Sequence, residues 1–138
     1  MLSAKLKHIT EWTDQRIAVA KRYDEGLKDA KAIVLPYTTP GYRHVFHLYV
    51  VETKDASKRG DLLKFLNDNG VDAKCHYDIA IHQQDGYPWD VDVEIKGSLG
   101  NAEKNAASCV SLPMFPELTT EEVDCVIAKT LEWDKANA

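Results

Sequence analysis

The sequence contains only three cysteines, Cys75, Cys109 and Cys125, among 138 residues. Their number is odd and no two of them form a C-x-x-C motif, so their spacing favours neither a disulfide framework nor a zinc ribbon. We therefore expect three reduced thiols, as is usual in the cytoplasm. Cys75 precedes His76, but adjacent residues on a strand point to opposite faces, so we expect no nucleophilic cysteine–histidine pair.

Long apolar runs and basic blocks are also missing. No segment approaches the roughly 20 apolar residues that cross a bilayer, and the first residues include Lys5 and Lys7 where a signal peptide would have an apolar core. The net charge is −5, with acidic and basic residues interspersed, unlike a protein that follows a phosphate backbone. Neither common Gly-rich phosphate motif is present. We expect no membrane and no nucleic acid as partner.

The chain is long enough for one domain with a hydrophobic core, since 44% of its residues are apolar. Apolar residues at steps of three and four predict a long helix over residues 2–29, with a bend or a break near Trp12 and Thr13. Further helices are expected over residues 57–69, capped by Ser57 and closed by Gly70, and over residues 101–108. Thr119 and Glu122 form a capping box for a last helix.

Four segments have strand patterns. Residues 32–36 end at a proline and predict an edge strand, whereas the β-branched and aromatic residues at 45–51 predict a central one. Residues 71–75 alternate apolar and polar side chains, and residues 110–112 predict a short strand. The order of these elements indicates a single α+β domain, residues 1–138, in which a small, mostly antiparallel sheet is covered by helices.

Polar, titratable side chains are concentrated in the predicted loop at residues 76–99. Its first ten residues contain two histidines, a tyrosine and two aspartates, which would suit a metal site or an acid–base site. However, His76 and His82 are six residues apart, which matches no compact ligand pair. His47 falls within the predicted central strand, where we expect a buried or half-buried structural histidine.

Another candidate is a polar turn. Tyr42 and Arg43 follow Pro40 and Gly41, and a guanidinium on such a turn can bind an anionic group in a bidentate manner. The favoured interpretation is nevertheless a solvated turn without a ligand.

Four segments, in order, resemble the DegT/DnrJ/StrS family of sugar aminotransferases. Arg16, Tyr23 and Leu27 match the R-x(6)-Y-x(3)-L ending of the family's long helix. Residues 47–50 read H-L-Y-V, and residues 59–66 resemble R-D-x-L-x-x-x-L. Residues 70–83 are similar to G-I-x-T-x-x-H-Y-P-x-P-x-H, and residues 102–119 to A-E-x-x-A-x-x-x-L-S-L-P-M-x-P-x-L-T. Together the four segments cover nearly the whole chain.

The resemblance implies the C-terminal small domain of a fold-type I transferase dependent on pyridoxal phosphate. Such an enzyme transfers an amino group, usually from glutamate, to the keto group of a nucleotide-linked sugar. In the family the Schiff-base lysine, the carboxylate for the pyridine nitrogen and the phosphate site belong to a large domain. None of the 13 lysines here lies in a similar motif, so the resemblance implies no catalytic residue in this chain and no cofactor bound by it alone.

The resemblance also implies a sugar-binding role for four residues. His82 corresponds to the family histidine that faces the sugar, with His76 and Tyr77 beside it and His47 behind them on the strand. Asp78 and Ala80 replace family prolines, so we expect a less rigid loop.

Three functions therefore remain open from the sequence. The first is a domain of a sugar aminotransferase, inactive without its large domain and belonging to a cytoplasmic homo-oligomer. The second is a stand-alone sugar-binding or oligomerisation module derived from that family. The third is a metal-dependent hydrolase built on residues 76–85.

Overall fold

Three strands form an antiparallel sheet in the computed structural model, which describes residues 2–89 and 94–138. The strands are β1 (Ile33–Val34), β2 (Tyr49–Thr53) and β3 (Cys109–Leu112), in the order β1-β2-β3. Ile33 lies opposite Thr53, and Tyr49 lies opposite Leu112. The predicted edge and central positions of the first two strands are confirmed, as is the α+β class.

Two strand predictions need correction. β2 begins at Tyr49 and not at residue 45, because Phe46 adopts a φ of 46°, a left-handed conformation that interrupts an extended strand. The buried ring of Phe46 packs on His44, with ring centroids 4.2 Å apart. Residues 71–75 alternate between buried and exposed as expected, but they form only one isolated bridge, between Lys74 and Ser111.

The predicted long first helix is divided into α1 (Leu2–Leu6) and α2 (Ile9–Leu27). The break lies at residues 7–8, where the His8 N–H donates to the Lys5 carbonyl, and not at Trp12 or Thr13 as predicted. The buried side chains of α2 recur on one face and contact the sheet and the last helix.

The other helices follow their local signals closely. They are α3 (Arg59–Asp68), α4 (Gly100–Ser108) and α5 (Thr120–Asn137). The capping box is present, because Thr119 Oγ1 accepts from the Glu122 N–H and Glu122 Oε2 accepts from the Thr119 N–H. A 3₁₀ turn (Ala56–Lys58) precedes α3, and Asp55 caps it in place of Ser57. Within the described residues, no helix has the length and apolar character to cross a membrane.

Two tyrosines form the centre of the core between α2 and β2. Tyr23 and Tyr49 are fully buried, with ring centroids 4.9 Å apart. The Tyr23 hydroxyl donates to the Pro113 carbonyl at 2.9 Å, and the Tyr49 hydroxyl donates to Asp24 at 2.6 Å. Both hydroxyl groups are therefore hydrogen-bonded, so the rings contribute apolar contacts and leave no buried donor unpaired.

A buried carboxylate attaches α5 to the chain before β1. Asp134 is only 5% exposed, and its oxygens accept from the Lys31 N–H at 2.9 and 3.0 Å and from the Ala32 N–H at 2.7 Å. These bonds fix the position at which the chain enters the sheet.

The contact between α2 and α5 leads to a prediction at Gly26. A Cβ on Gly26 would lie 2.6 Å from Ile127 Cδ1 and 2.9 Å from Ile127 Cγ2. Overpacking of this kind costs about 1–3 kcal/mol, which exceeds the roughly 1 kcal/mol gained from the helix propensity of alanine. Gly26→Ala should therefore lower the free energy of unfolding in urea by up to about 2 kcal/mol.

The same substitution should become stabilising when Ile127 is shortened. In an Ile127→Ala background, Gly26→Ala should raise stability by about 1 kcal/mol, because only the propensity gain remains. Equal effects of Gly26→Ala in the two backgrounds would contradict this packing.

Candidate functional site

His76 lies directly after the bridge between Lys74 and Ser111. Its Nδ1 is 2.9 Å from the Oγ of Ser111, and the imidazole is half-buried whereas Ser111 is buried. The ring borders a cleft of about 210 Å³ that also includes Leu48 and Met114, which we name the His76 cleft. Because Ser111 holds Nδ1, the ring orientation is fixed and Nε2 is the nitrogen left for a ligand.

Tyr77 lies beside His76 on the outside of the loop. Its side chain is 73% exposed, and its ring meets the His76 ring edge-on with centroids 5.8 Å apart. The Tyr77 carbonyl accepts a weak bond from the Cys109 thiol at 3.7 Å. The phenol is therefore accessible, while the backbone behind it is attached to β3.

His82 lies in a short 3₁₀ turn (Ile81–Gln83), and it pairs with α4. Its Nε2 is 2.9 Å from Glu103 Oε1, with side-chain exposures of 14% for His82 and 47% for Glu103. An ionised carboxylate can only accept, so Nε2 bears the proton and Nδ1 is the acceptor in the neutral ring. His82 borders a cleft of about 230 Å³ with Tyr87 and Trp89, which we name the His82 cleft.

The position of His47 differs from the sequence prediction. It is exposed and lies two residues before β2, so the expectation of a buried or half-buried histidine within the strand is wrong. The cause is the left-handed conformation of Phe46, because of which β2 begins at Tyr49 and not at residue 45. The next residue, Leu48, borders the His76 cleft.

Of the four predicted residues, His76 and His82 line two different clefts, whereas Tyr77 and His47 line neither of them. His76 and Tyr77 are in contact, and His47 is next to a residue of the His76 cleft. His82 borders the separate His82 cleft. The partners Ser111 and Glu103 were not identified from the sequence as site residues. Glu103 belongs to the family-like A-E motif at 102–103, which was the only available signal for it.

The metal and cysteine hypotheses find no supporting geometry. In the part of the chain that the structure describes, no three His, Cys, Asp or Glu side chains are grouped so that they could hold a metal ion. The Cys75 thiol donates to the Cys109 carbonyl at 3.4 Å, while His76 pairs with Ser111. Cys75 and His76 therefore face different partners.

The three thiols should differ in reactivity. Cys125 is exposed, Cys75 is half-buried, and Cys109 is buried, with burial raising the pKa of its thiol. Because the thiolate is the reacting form, Cys109 should be alkylated by iodoacetamide at least roughly tenfold more slowly than Cys125 near pH 8. Peptide mass spectrometry over a time course measures the three rates. Alkylation of Cys109 as fast as that of Cys125 would contradict its burial.

The lysines of this chain lie at its surface. All 13 lysines lie among the described residues, and every one of them is exposed or half-exposed. Several are paired with acids at the surface, for example Lys74 with Asp72 at 2.8 Å. A lysine that forms a Schiff base needs an enclosed and largely desolvated pocket. The lysines of this chain do not fit that requirement.

Comparison with known proteins gives a consistent result along the chain. The model of the DegT/DnrJ/EryC1/StrS aminotransferase family matches residues 1–131. A pleiotropic regulatory protein of Geobacillus stearothermophilus is 37% identical over 140 residues, covering 96% of this chain and 35% of that protein. The dTDP-3-amino-3,4,6-trideoxy-alpha-D-glucose transaminase of Streptomyces venezuelae is 34% identical over 133 residues, covering 96% of this chain and 34% of that protein.

Solved structures agree with the sequence relatives. The structure of S. venezuelae DesV in complex with a ketimine intermediate superposes with a TM-score of 0.86 at 33% identity, covering 97% of this chain and 35% of that one. The chain thus spans about a third of the length of the relatives it matches.

Proposed function

The chain belongs to the DegT/DnrJ/EryC1/StrS aminotransferase family, and from that premise we propose that it is the C-terminal domain of an aminotransferase acting on nucleotide-linked keto sugars. The observation that supports this most is the similarity over 96% of the chain to a named dTDP-sugar transaminase. A second relative is a UDP-sugar aminotransferase, 32% identical over 136 residues. Glutamate is the proposed amino donor.

Pyridoxal phosphate is the cofactor of this family, and when bound it supplies the electron sink for amino transfer. The exposed lysines described above do not fit its attachment, so no step of the reaction is assigned to them. We propose that a large domain outside these 138 residues provides the Schiff-base lysine and the phosphate site. This chain then contributes residues that bind and orient the sugar.

The proposed sugar-facing residues are His82, His76, Tyr77 and His47. The pairing of His82 with Glu103 fixes its ring, so that Nδ1 can accept a hydrogen bond from a sugar hydroxyl. His76 is fixed in the same manner by Ser111, which leaves its Nε2 for a ligand. The exposed phenol of Tyr77 adds a donor and a flat apolar surface, both of which suit a sugar ring. Fixed side chains lose less entropy on binding than free ones.

A complementation experiment tests the proposed function. The chain should be inactive alone and should restore amino transfer to a dTDP-linked keto sugar when it is fused to the remaining two thirds of the S. venezuelae transaminase. Borohydride reduction of the chain mixed with pyridoxal phosphate should give only substoichiometric adducts spread over exposed lysines. A stoichiometric adduct on one lysine, or turnover by the chain alone, would overturn the proposal.

The sugar-facing role of His82 has its own test. His82→Ala should weaken binding of a nucleotide-linked sugar about tenfold, which corresponds to roughly one lost hydrogen bond of about 1.4 kcal/mol. His8→Ala is the matched control, since His8 is exposed and contacts Trp12 and Glu11 of its own helix region. Calorimetry on the chain measures both affinities. Equal affinity in the two variants would contradict the role.

A second candidate is an oligomerisation module, and one observation favours it. Leu2 and Leu6 of α1 are 85% and 69% exposed, and Ile9 at the start of α2 is 46% exposed. Exposed apolar side chains close together often mark an interface between chains. Sedimentation should then show a concentration-dependent dimer that Leu6→Glu abolishes. A monomer at all concentrations would leave only the first candidate. Both candidate functions include a cytoplasmic location, which the three unpaired cysteine thiols support.

A further inference from the structure

A third cleft, of about 310 Å³, lies in the connection between β1 and β2. We name it the tyrosine cleft, and six residues line it: Tyr37, Thr38, Thr39, Tyr42, Arg43 and His44. Neither the His76 cleft nor the His82 cleft shares a residue with it. We propose that the tyrosine cleft binds a nucleoside diphosphate, namely the nucleotide end of the sugar substrate, and in this respect the inference rests on the proposed function.

The loop that forms the tyrosine cleft is restrained by an internal turn and by a contact with α2. The Tyr42 N–H donates to the Thr39 carbonyl at 3.1 Å, which closes a turn in which Pro40 is followed by Gly41 at a φ of 85°. This combination is typical of a type II turn. On the other side, Arg43 Nη2 donates to Asp14 of α2 at 2.6 Å. Both contacts restrict the conformations of the loop, which reduces the entropy lost on binding.

A further bond extends the restraint towards β2. Arg16 of α2 donates from Nε to the Val45 carbonyl at 3.2 Å. Phe46 follows in its left-handed conformation with a buried ring. Non-glycine residues in this conformation are uncommon and often occur near functional sites. These contacts hold the C-terminal end of the loop, residues 43–46, against α2 and the core.

Both tyrosines of the restrained loop are exposed, Tyr37 by 80% and Tyr42 by 77%. A restrained loop with two exposed aromatic rings provides flat surfaces on which a nucleobase can stack, and this form of recognition needs no Gly-rich phosphate motif. The sequence lacks such motifs, so stacking is the route to nucleotide binding that remains open to this chain.

The polar groups of the tyrosine cleft suit a diphosphate. The guanidinium of Arg43 has five N–H donors, of which one bond to Asp14 is made. His44 Nδ1 accepts from the Phe46 N–H at 3.0 Å, so His44 Nε2 bears the proton in the neutral ring and can donate. Asp14 offsets the charge of Arg43, and exposed charge pairs contribute little. We therefore expect ring stacking to contribute more affinity than the ionic contact.

The position of the tyrosine cleft is consistent with a ligand that reaches the sugar-facing residues. His44 is four residues before Leu48, which borders the His76 cleft. Four residues span at most about 14 Å. The Cα atoms of His44 and Leu48 are thus at most about 14 Å apart, so the nucleotide end of the substrate would lie near the His76 cleft.

The test uses the full chain with uridine diphosphate and thymidine diphosphate as probes. Calorimetry should show binding that Tyr42→Ala and Tyr37→Ala each weaken about tenfold, equivalent to about 1.4 kcal/mol. Tyr42→Phe should retain most of the affinity because it keeps the ring, and Arg43→Lys should cost only about threefold. Trp12→Ala is the control, since Trp12 is a partly exposed aromatic residue that lines none of the three named clefts.

The results separate this inference from the proposed function. The tyrosine cleft is supported when free nucleoside diphosphate binds and depends on Tyr37 and Tyr42, even if His82→Ala has no effect on the sugar-linked form. In that case only the sugar-facing role fails. Absence of binding, equal affinity in Tyr42→Ala and Trp12→Ala, or pyrophosphate binding as tightly as the nucleoside diphosphates would overturn the inference.

Discussion

Replacing Asp134 by alanine should lower the free energy of unfolding by about 3 kcal/mol. The carboxylate accepts from the backbone N–H groups of Lys31 and Ala32, and it is only 5% exposed. Each donor that loses its partner in a partly buried place costs about 1–3 kcal/mol. An acidic residue near the C-terminal end of a helix is electrostatically unfavourable by about 0.3–1 kcal/mol. The hydrogen bonds exceed that cost, so the net effect of removing Asp134 is destabilising.

Urea unfolding of three variants measures this effect. Asp134→Asn keeps one acceptor oxygen and should lose about half as much stability as Asp134→Ala. Glu132→Ala is the control, because Glu132 is an exposed acid on the same helix whose contact is a surface pair with Lys129. A loss below about 0.5 kcal/mol in Asp134→Ala would show that Lys31 and Ala32 do not depend on the carboxylate.

The stability of the fold should decrease steeply above pH 10. Burial raises the pKa of both Tyr23 and Tyr49 far above the ordinary value of 10, and the hydrogen bond to Asp24 raises that of Tyr49 further. Above pH 10 the unfolded chain loses both phenol protons while the folded chain keeps them, so the unfolded state is favoured as pH rises. The expected slope is about 1.4 kcal/mol per pH unit for each tyrosine, or about 2.7 for both.

The contribution of one tyrosine can be isolated by comparison. Tyr23→Phe should reduce the slope between pH 10 and 11 by about half, whereas Tyr37→Phe should leave it unchanged because Tyr37 is exposed. The buried Cys109 thiol also makes the free energy of unfolding decrease at alkaline pH, because burial raises its pKa. This contribution is the same in all the variants, so it cancels when their slopes are compared. The same slope in wild type and Tyr23→Phe would contradict a neutral, buried phenol.

The sequence predicted best the elements that local signals define. The capping box at Thr119 and Glu122, the left-handed Gly70 and the short helix after Gly100 depend on residues within one or two turns of each other. The start of β2 could not be predicted in this way. Aromatic and β-branched residues at 45–51 favour a strand, but burial of Phe46 against Tyr49 and His44 requires a turn instead.

The candidate site was predicted in part. The sequence identified the segment that contains His76, Tyr77 and His82, but not the partners that fix the two histidines. Glu103 is 21 residues from His82 and Ser111 is 35 residues from His76. Such partners depend on how the loop packs on α4 and β3. The pattern of residues 76–85 alone does not predict that packing. His47 was misplaced because its prediction depended on the strand boundary.

The two margins of the sheet have a consequence for how the chain behaves at high concentration. β1 is only two residues long and is followed closely by Pro36, and the outer side of β3 is partly occupied by the bridge from Lys74 to Ser111. Short strands, prolines and covering segments hinder the addition of a foreign strand. A second molecule would find little free backbone to extend the ladder, so fibril growth by strand stacking is disfavoured in the folded chain.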